Sequence, residues 1–181
     1  MAGGVGPIEA ALATARKLAN GTYALAINAG IAGAFPGHAR VGEAVLVTEE
    51  ILADFGLEGG VGLTLPGGAK LAERTRADAS LVERCVPAAS RLGRGLTVTQ
   101  VTTTRQTAER LANRYAPDVE SMEGFAVLRA AELAGVPAIE IRGISNYVGE
   151  RSESGWDFRA GSSATVAALE TILDALGSQT A

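Results

Sequence analysis

Apolar residues along this chain recur with two periods, and the switches between them divide it into helices and strands. The contrast is clearest between Asp118 and Gly149. Over 119–134 the small residues Gly124, Ala126, Ala130, Ala131 and Ala134 alternate with Phe125, Leu128 and Leu133, the pattern of a crossover helix packed closely on a sheet. Asp118 is expected to cap that helix, with Glu120 and Glu123 in its first turn where carboxylates suit the positive end of the helix dipole. Gly135 before Val136-Pro137 is expected to stop it. After Pro137 the period becomes two. Ile139, Ile141 and Gly143 alternate with Glu140, Arg142 and Ile144, which predicts a strand ending in Ser145, Asn146 and Tyr147.

The same reading extends over the whole chain. Residues 3–18 form a glycine turn feeding a helix, with Pro7 at an early position and Asn20-Gly21 closing it. YALAIN at 23–28 predicts a short strand. The AGIAGAF segment that follows is either a tight turn or a stretch whose backbone N–H groups approach a ligand without side-chain interference. A second strand covers 41–52, and the acidic cluster Glu49, Glu50 and Asp54 reads as a solvated rim. The glycine-rich stretch 56–68 reads as a flap or short hairpin, and 70–92 as helix with a break near Ala79-Ser80. A strand over 95–101 leads to Thr102, Thr103 and Thr104, whose hydroxyls line a pocket or cap a helix at 105–115. A terminal helix follows at 161–176, then a frayed tail at 177–181. Strands alternating with helices predict an α/β sandwich around one central sheet. In such sheets ligands gather at the carboxyl ends of strands, where Asn146 sits.

Composition narrows the function classes. A chain of 181 residues that is 47% hydrophobic and 20% charged fits one globular domain, 1–181. Its net charge of -4 and lack of a basic run argue against a nucleic-acid surface. No apolar run is long enough for a membrane span and no basic-then-apolar segment opens the chain, so no membrane partner and a cytoplasmic location are expected. One cysteine, Cys85, excludes an internal disulfide and reads as core packing. One histidine, His38, leaves too few soft ligands for zinc and lies in what reads as an exposed loop. No metal and no organic cofactor are expected.

Glu123 early in a helix and Asn146 at the end of the next strand can face one cleft. They can equally be a first-turn charge and a strand-end cap. The motifs around them decide between these. SMEG at 121–124 followed by IRGISN at 141–146 resembles the paired signature of the purine nucleoside phosphorylase and nucleosidase superfamily, and its nucleosidase branch most closely. ISNYV followed by Trp156 resembles the futalosine hydrolases, and the likeness runs from about Gly4 to Ala168.

The resemblance implies a three-layer α/β/α sandwich around a mixed sheet, and a hydrolase that releases hypoxanthine from futalosine in menaquinone biosynthesis. Glu123 is then expected to bind the ribose 2′- and 3′-hydroxyls and to face the cationic sugar of the transition state, with Met122 beneath the ring. Asn146 is expected to donate to N7 or the 6-oxygen of the base, oriented by Ser145, where relatives acting on adenine nucleosides carry aspartate. Ser121, the segment Gly30, Ile31, Ala32 and Gly33, and the wall from Val101 to Thr103 complete the implied site. Ile31, where many relatives carry serine, is expected to disfavour phosphate and leave water as nucleophile. Arg142 is expected to pair with Glu140. The family's chains begin with a strand ending in a catalytic glutamate, and no counterpart precedes Met1, so the chain is expected to be N-terminally short. A homodimer or higher homo-oligomer is implied, with a small-molecule nucleoside as the partner. Two other functions remain open: a phosphorylase, and a purine-ribose binding module that catalyses little.

Overall fold

The computed structural model describes residues 3–56, 68, 71–150 and 155–177. The helices are α1 (Pro7–Ala19), α2 (Ala79–Cys85), α3 (Arg105–Tyr115), α4 (Gly124–Leu133) and α5 (Phe158–Gly177). The strands are β1 (Ala26–Ala34), β2 (Ala44–Leu52), β3 (Arg74–Arg76), β4 (Arg91–Thr97), β5 (Val119–Ser121) and β6 (Ala138–Tyr147). They form one mixed sheet in the order β3-β2-β4-β5-β1-β6. Strand β6 also pairs with β2, so the sheet curls until five of its strands close a ring.

Packing follows from the alternation of side chains across each strand. Ile139 and Ile141 of β6 face α5 and α2 in a cluster with Leu46, Cys85 and Ile172. Leu96, Phe35 and Val148 pack against Leu111 and Tyr115 of α3. Ala32, Ala34, Val45, Val47, Val119 and Ile144, contributed by four strands, fill the interior of the ring. Ala138 meets Leu128 and Ala131 of α4, and Cys85 is buried and free. Among the described residues no helix is long and apolar enough to cross a membrane.

Several elements match their sequence signals. Pro7 opens α1 and Asn20 caps its end, the Thr104 side chain caps α3 by accepting from the Thr107 N–H, and Gly135 with φ 68° ends α4. Other boundaries move. The predicted helix at 119–134 begins only at Gly124, because Val119–Ser121 is captured as a strand between β4 and β1. Asp118 is therefore no helix cap, and Glu120 lies on a strand. AGIAGA continues β1 rather than turning, since β6 pairs with it through Ala34. The stretch expected to be helical over 70–92 holds β3, then α2 capped by Asp78 at the foreseen break, and then the start of β4. Within the expected acidic rim only Glu49 and Asp54 behave as such, pairing with arginines, while Glu50 is fully buried. The flap expected over 56–68 lies largely outside the described residues, as does the tail at 178–181.

Candidate active site

Glu123 immediately precedes α4, and its side chain makes no capping bond to that helix. Its carboxylate is thus free to turn towards β1 and β6. Oε1 accepts from the Gly6 N–H at 3.0 Å, and Oε2 lies 3.7 Å from Arg142 Nη1. Arg142 is anchored by donating from Nε to Glu140 Oε1 at 2.6 Å, as its expected pairing requires, and from Nη1 to the Ile31 carbonyl at 3.3 Å. A third carboxyl, Glu50, accepts from Thr97 Oγ1 at 2.7 Å. The Phe125 N–H donates in turn to that hydroxyl, which ties the first turn of α4 to the buried charges.

The electrostatics of this group follow from burial. Desolvation, and then the negative charge of Glu140, push the Glu50 carboxyl well above the usual carboxylate range. Burial alone would lower Arg142, but Glu140, Glu50 and Glu123 outweigh it and hold the guanidinium above its ordinary value. Gly124 makes the arrangement possible: a Cβ there would lie 2.6 Å from Glu140 Oε1 and closer still to Glu50. The absent side chain lets a helix end approach two carboxyls.

Asn146 reaches the site by a different device. The β1/β6 register shifts between Ala32 and Gly33, so that Ala32 pairs with Ile144 but Gly33 pairs with Asn146. Such a bulge turns the following side chains to the other face. Ile144 points into the ring, whereas Asn146 lies over Gly33 beside Val148. Ser145 Oγ donates to Asn146 Oδ1 at 2.8 Å, which leaves Nδ2 as the outward donor, with a 3.3 Å contact to the Tyr147 carbonyl. Glu123 lies beside Arg142, the partner of Gly30, and Asn146 is the partner of Gly33, so about 10 Å of β1 separates the two levels, with Gly30 on the ring-facing side and Gly33 on the opposite face.

The remaining expected residues divide. Gly30 faces Arg142, with an added Cβ at 2.5 Å from Nη1. Alternation then turns the Ile31 side chain towards the α5 face, so it is the Ile31 carbonyl that reaches the cluster. Ala32 packs inside the ring, and Met122 packs against the cluster that holds Phe35 and Val148. Ser121 is buried, and its Oγ accepts from the Gly124 N–H at 3.4 Å. Thr103 lines a cavity of about 210 Å³ with Asp54, Thr104 and Arg110 that includes neither Glu123 nor Asn146. His38, expected in an exposed loop, is 43% exposed and its Nδ1 lies 2.7 Å from Asp118 Oδ1. Its loop borders a cavity of about 720 Å³ with Arg40, Arg91 and Tyr147.

The buried carboxyls Glu50 and Glu120 carry no such assignment from sequence. Each stands in a run where neighbouring charges or a neighbouring helix pattern mask its alternation, and three residues of β5 are too few to show a period.

The chain belongs to the phosphorylase superfamily, whose sequence profile matches residues 1–176. It is 36% identical over 176 residues to the futalosine hydrolase of Thermus thermophilus, an alignment covering 94% of this chain and 78% of that protein. Over 185 residues it is 35% identical to the futalosine hydrolase of Streptomyces coelicolor, covering 98% of this chain and 76% of that one. Its fold matches the solved futalosine hydrolase of Helicobacter pylori with a TM-score of 0.84 at 15% identity, covering 95% of this chain and 77% of that one. It also matches the 5'-methylthioadenosine/S-adenosylhomocysteine nucleosidase of Neisseria meningitidis with a TM-score of 0.81 at 21% identity, covering 94% and 78% of the two chains. The expected sandwich around a mixed sheet is thus that of this superfamily.

Proposed function

We propose that this chain hydrolyses the N-ribosyl bond of futalosine, releasing hypoxanthine and dehypoxanthine futalosine in menaquinone biosynthesis, and that it does so as a single cytoplasmic domain assembled as a homodimer. The observation that carries the reading is the donor placement at Asn146. With Oδ1 held by Ser145, Nδ2 is presented to a base that offers acceptors at N7 and the 6-oxygen.

Cleavage of this bond builds positive charge on the sugar and negative charge on the departing purine. Glu123 is positioned to accept from the ribose hydroxyls and to attract the cationic ring, while Arg142 fixes the carboxylate from behind. An amide cannot transfer a proton as an acid does, so Asn146 stabilises the leaving base by hydrogen bonding. Met122 supplies apolar surface beneath the sugar, with the Gly30 to Gly33 backbone beside the ribose.

The test uses the whole chain with futalosine, inosine and methylthioadenosine, each with and without phosphate, and follows released base by chromatography. Hypoxanthine released from futalosine in phosphate-free buffer is the expected result. Release only with phosphate, or binding without release, overturns it.

A further inference from the structure

Glu50 is fully buried beside the candidate site, and the chemistry outlined above makes no use of it. Its Oε2 accepts from Thr97 Oγ1 at 2.7 Å, while its Oε1 is buried without a hydrogen-bond partner, as is Oε2 of Glu140. The two carboxyls are neighbours, because one point, the Cβ that Gly124 lacks, lies within 2.6 Å of an oxygen of each. Gly95 of β4, paired with Glu50, opens the same space from the other side, and a Cβ there would collide with Glu50 Oε1. Two buried acceptors side by side are costly, and a proton on one makes it the donor to the other. Burial and then the Glu140 charge, which raise the Glu50 pKa, put that proton on Glu50. The other charges reach Glu50 from two sides. Arg142 of β6 brings Glu123 behind it, and Thr75 of β3, the register partner of Glu50, donates to Glu132 of α4, which is itself paired with Arg129.

Resting on the hydrolase reading above, we propose that Glu50 is a positioning residue for Glu123: its carboxyl donates to Glu140, which leaves Arg142 extended towards the Ile31 carbonyl and the Glu123 carboxylate. Arg142 has one positive charge and three acceptors around it, Glu140 at 2.6 Å, the Ile31 carbonyl at 3.3 Å and Glu123 at 3.7 Å. With Glu50 neutral, Glu140 balances the guanidinium. The unbalanced negative charge of the group then lies on Glu123, its partly exposed member, where the cationic sugar forms. An anionic Glu50 adds a second buried negative charge beside Glu140 and draws Arg142 back from Glu123. Glu50 touches no substrate and acts only through Glu140, Arg142 and Glu123.

Two variants of the whole chain test this. Glu50→Leu removes the donor, and kcat for futalosine is expected to fall about 10- to 100-fold as Glu123 loses its placement. Glu50→Gln keeps a neutral donor beside Glu140 and an acceptor for Thr97, and is expected to restore most of that loss. The pH profile separates positioning from mere packing. Over the range in which the proteins stay folded by circular dichroism, wild-type kcat is expected to fall on the alkaline side as Glu50 loses its proton, and E50Q to carry that limb to higher pH. An E50Q limb that coincides with the wild-type one, or an E50L kcat equal to that of E50Q, overturns the assignment. If neither variant folds, infrared titration of the wild-type chain decides. The carbonyl band of a buried carboxylic acid is expected to vanish along the kcat limb, and a band that is absent or titrates elsewhere overturns it. Inosine affinity, measured by calorimetry across the same pH range, keeps the two readings apart. Protein that leaves futalosine intact but binds inosine with an alkaline limb that E50Q displaces sinks the hydrolase reading alone, and protein that neither cleaves futalosine nor binds inosine sinks both.

Discussion

Ser145 Oγ donates to Asn146 Oδ1 at 2.8 Å, and both residues are buried at the end of β6. With the Nδ2 contact to the Tyr147 carbonyl, that bond sets the orientation of the amide. Ser145→Ala leaves Oδ1 unpaired and the amide held only by its Nδ2 contact, so kcat/KM for futalosine is expected to fall about tenfold while stability falls by about 1 kcal/mol. Steady-state hypoxanthine release and a thermal melt on the same preparation check the two together. A variant with native kcat/KM would show that the amide needs no orienting partner.

Gly33 provides the space in which Asn146 lies. A Cβ there would stand 2.9 Å from Asn146 Nδ2 and 3.1 Å from Val148 Cγ2, so Gly33→Ala must displace the amide. The expected outcome is a raised KM for the nucleoside, about tenfold or more, with some loss of stability because the buried, β-branched Val148 has little room to shift. Kinetics alongside a far-ultraviolet spectrum measure this, and an unaltered KM contradicts the placement.

Glu123 keeps its carboxylate 23% exposed and 3.7 Å from Arg142 Nη1. Glu123→Gln retains the shape and the Gly6 contact but removes the charge that faces the sugar. A loss of about 100-fold or more in kcat is expected, the scale seen when a transition-state electrostatic partner is removed, with little change in thermal stability. Single-turnover rates decide it, and near-native kcat excludes Glu123 from the chemistry.

Glu50 links stability to pH. Facing it are Glu140 and Arg142 of β6 and Thr97 of β4, and burial followed by the Glu140 charge raises its pKa in the folded state. Unfolded, it titrates near the ordinary glutamate value of about 4.3. The folded protein therefore holds a proton that the unfolded chain has already released. Its stabilising contribution is complete below the unfolded pKa and is lost as pH rises through the folded one. Glu120, raised by burial, adds with the same sign. Wild-type stability is expected to decline as pH rises above the ordinary glutamate range, and Glu50→Gln to flatten that decline. Urea midpoints across the range measure the difference between the two, and parallel curves would refute it.

Much of the frame is legible in the order of residues alone. The caps and stops of α1, α3 and α4 were legible because Pro7, Thr104 and Gly135 act through their own backbone geometry, which needs no distant partner. The SMEG and IRGISN motifs likewise placed Glu123 and Asn146 on adjoining elements. Tertiary structure decided the rest. Val119–Ser121 became a strand because β4 and β1 stand on either side of it, Glu50 left the surface because Gly95 and Gly124 open room beside Glu140, and Asn146 turned to the face of Gly33 through a bulge set by β1. Each depends on residues far away along the chain, and local periodicity carries no record of such partners, so the burial of Glu120 emerges only when the sheet is assembled.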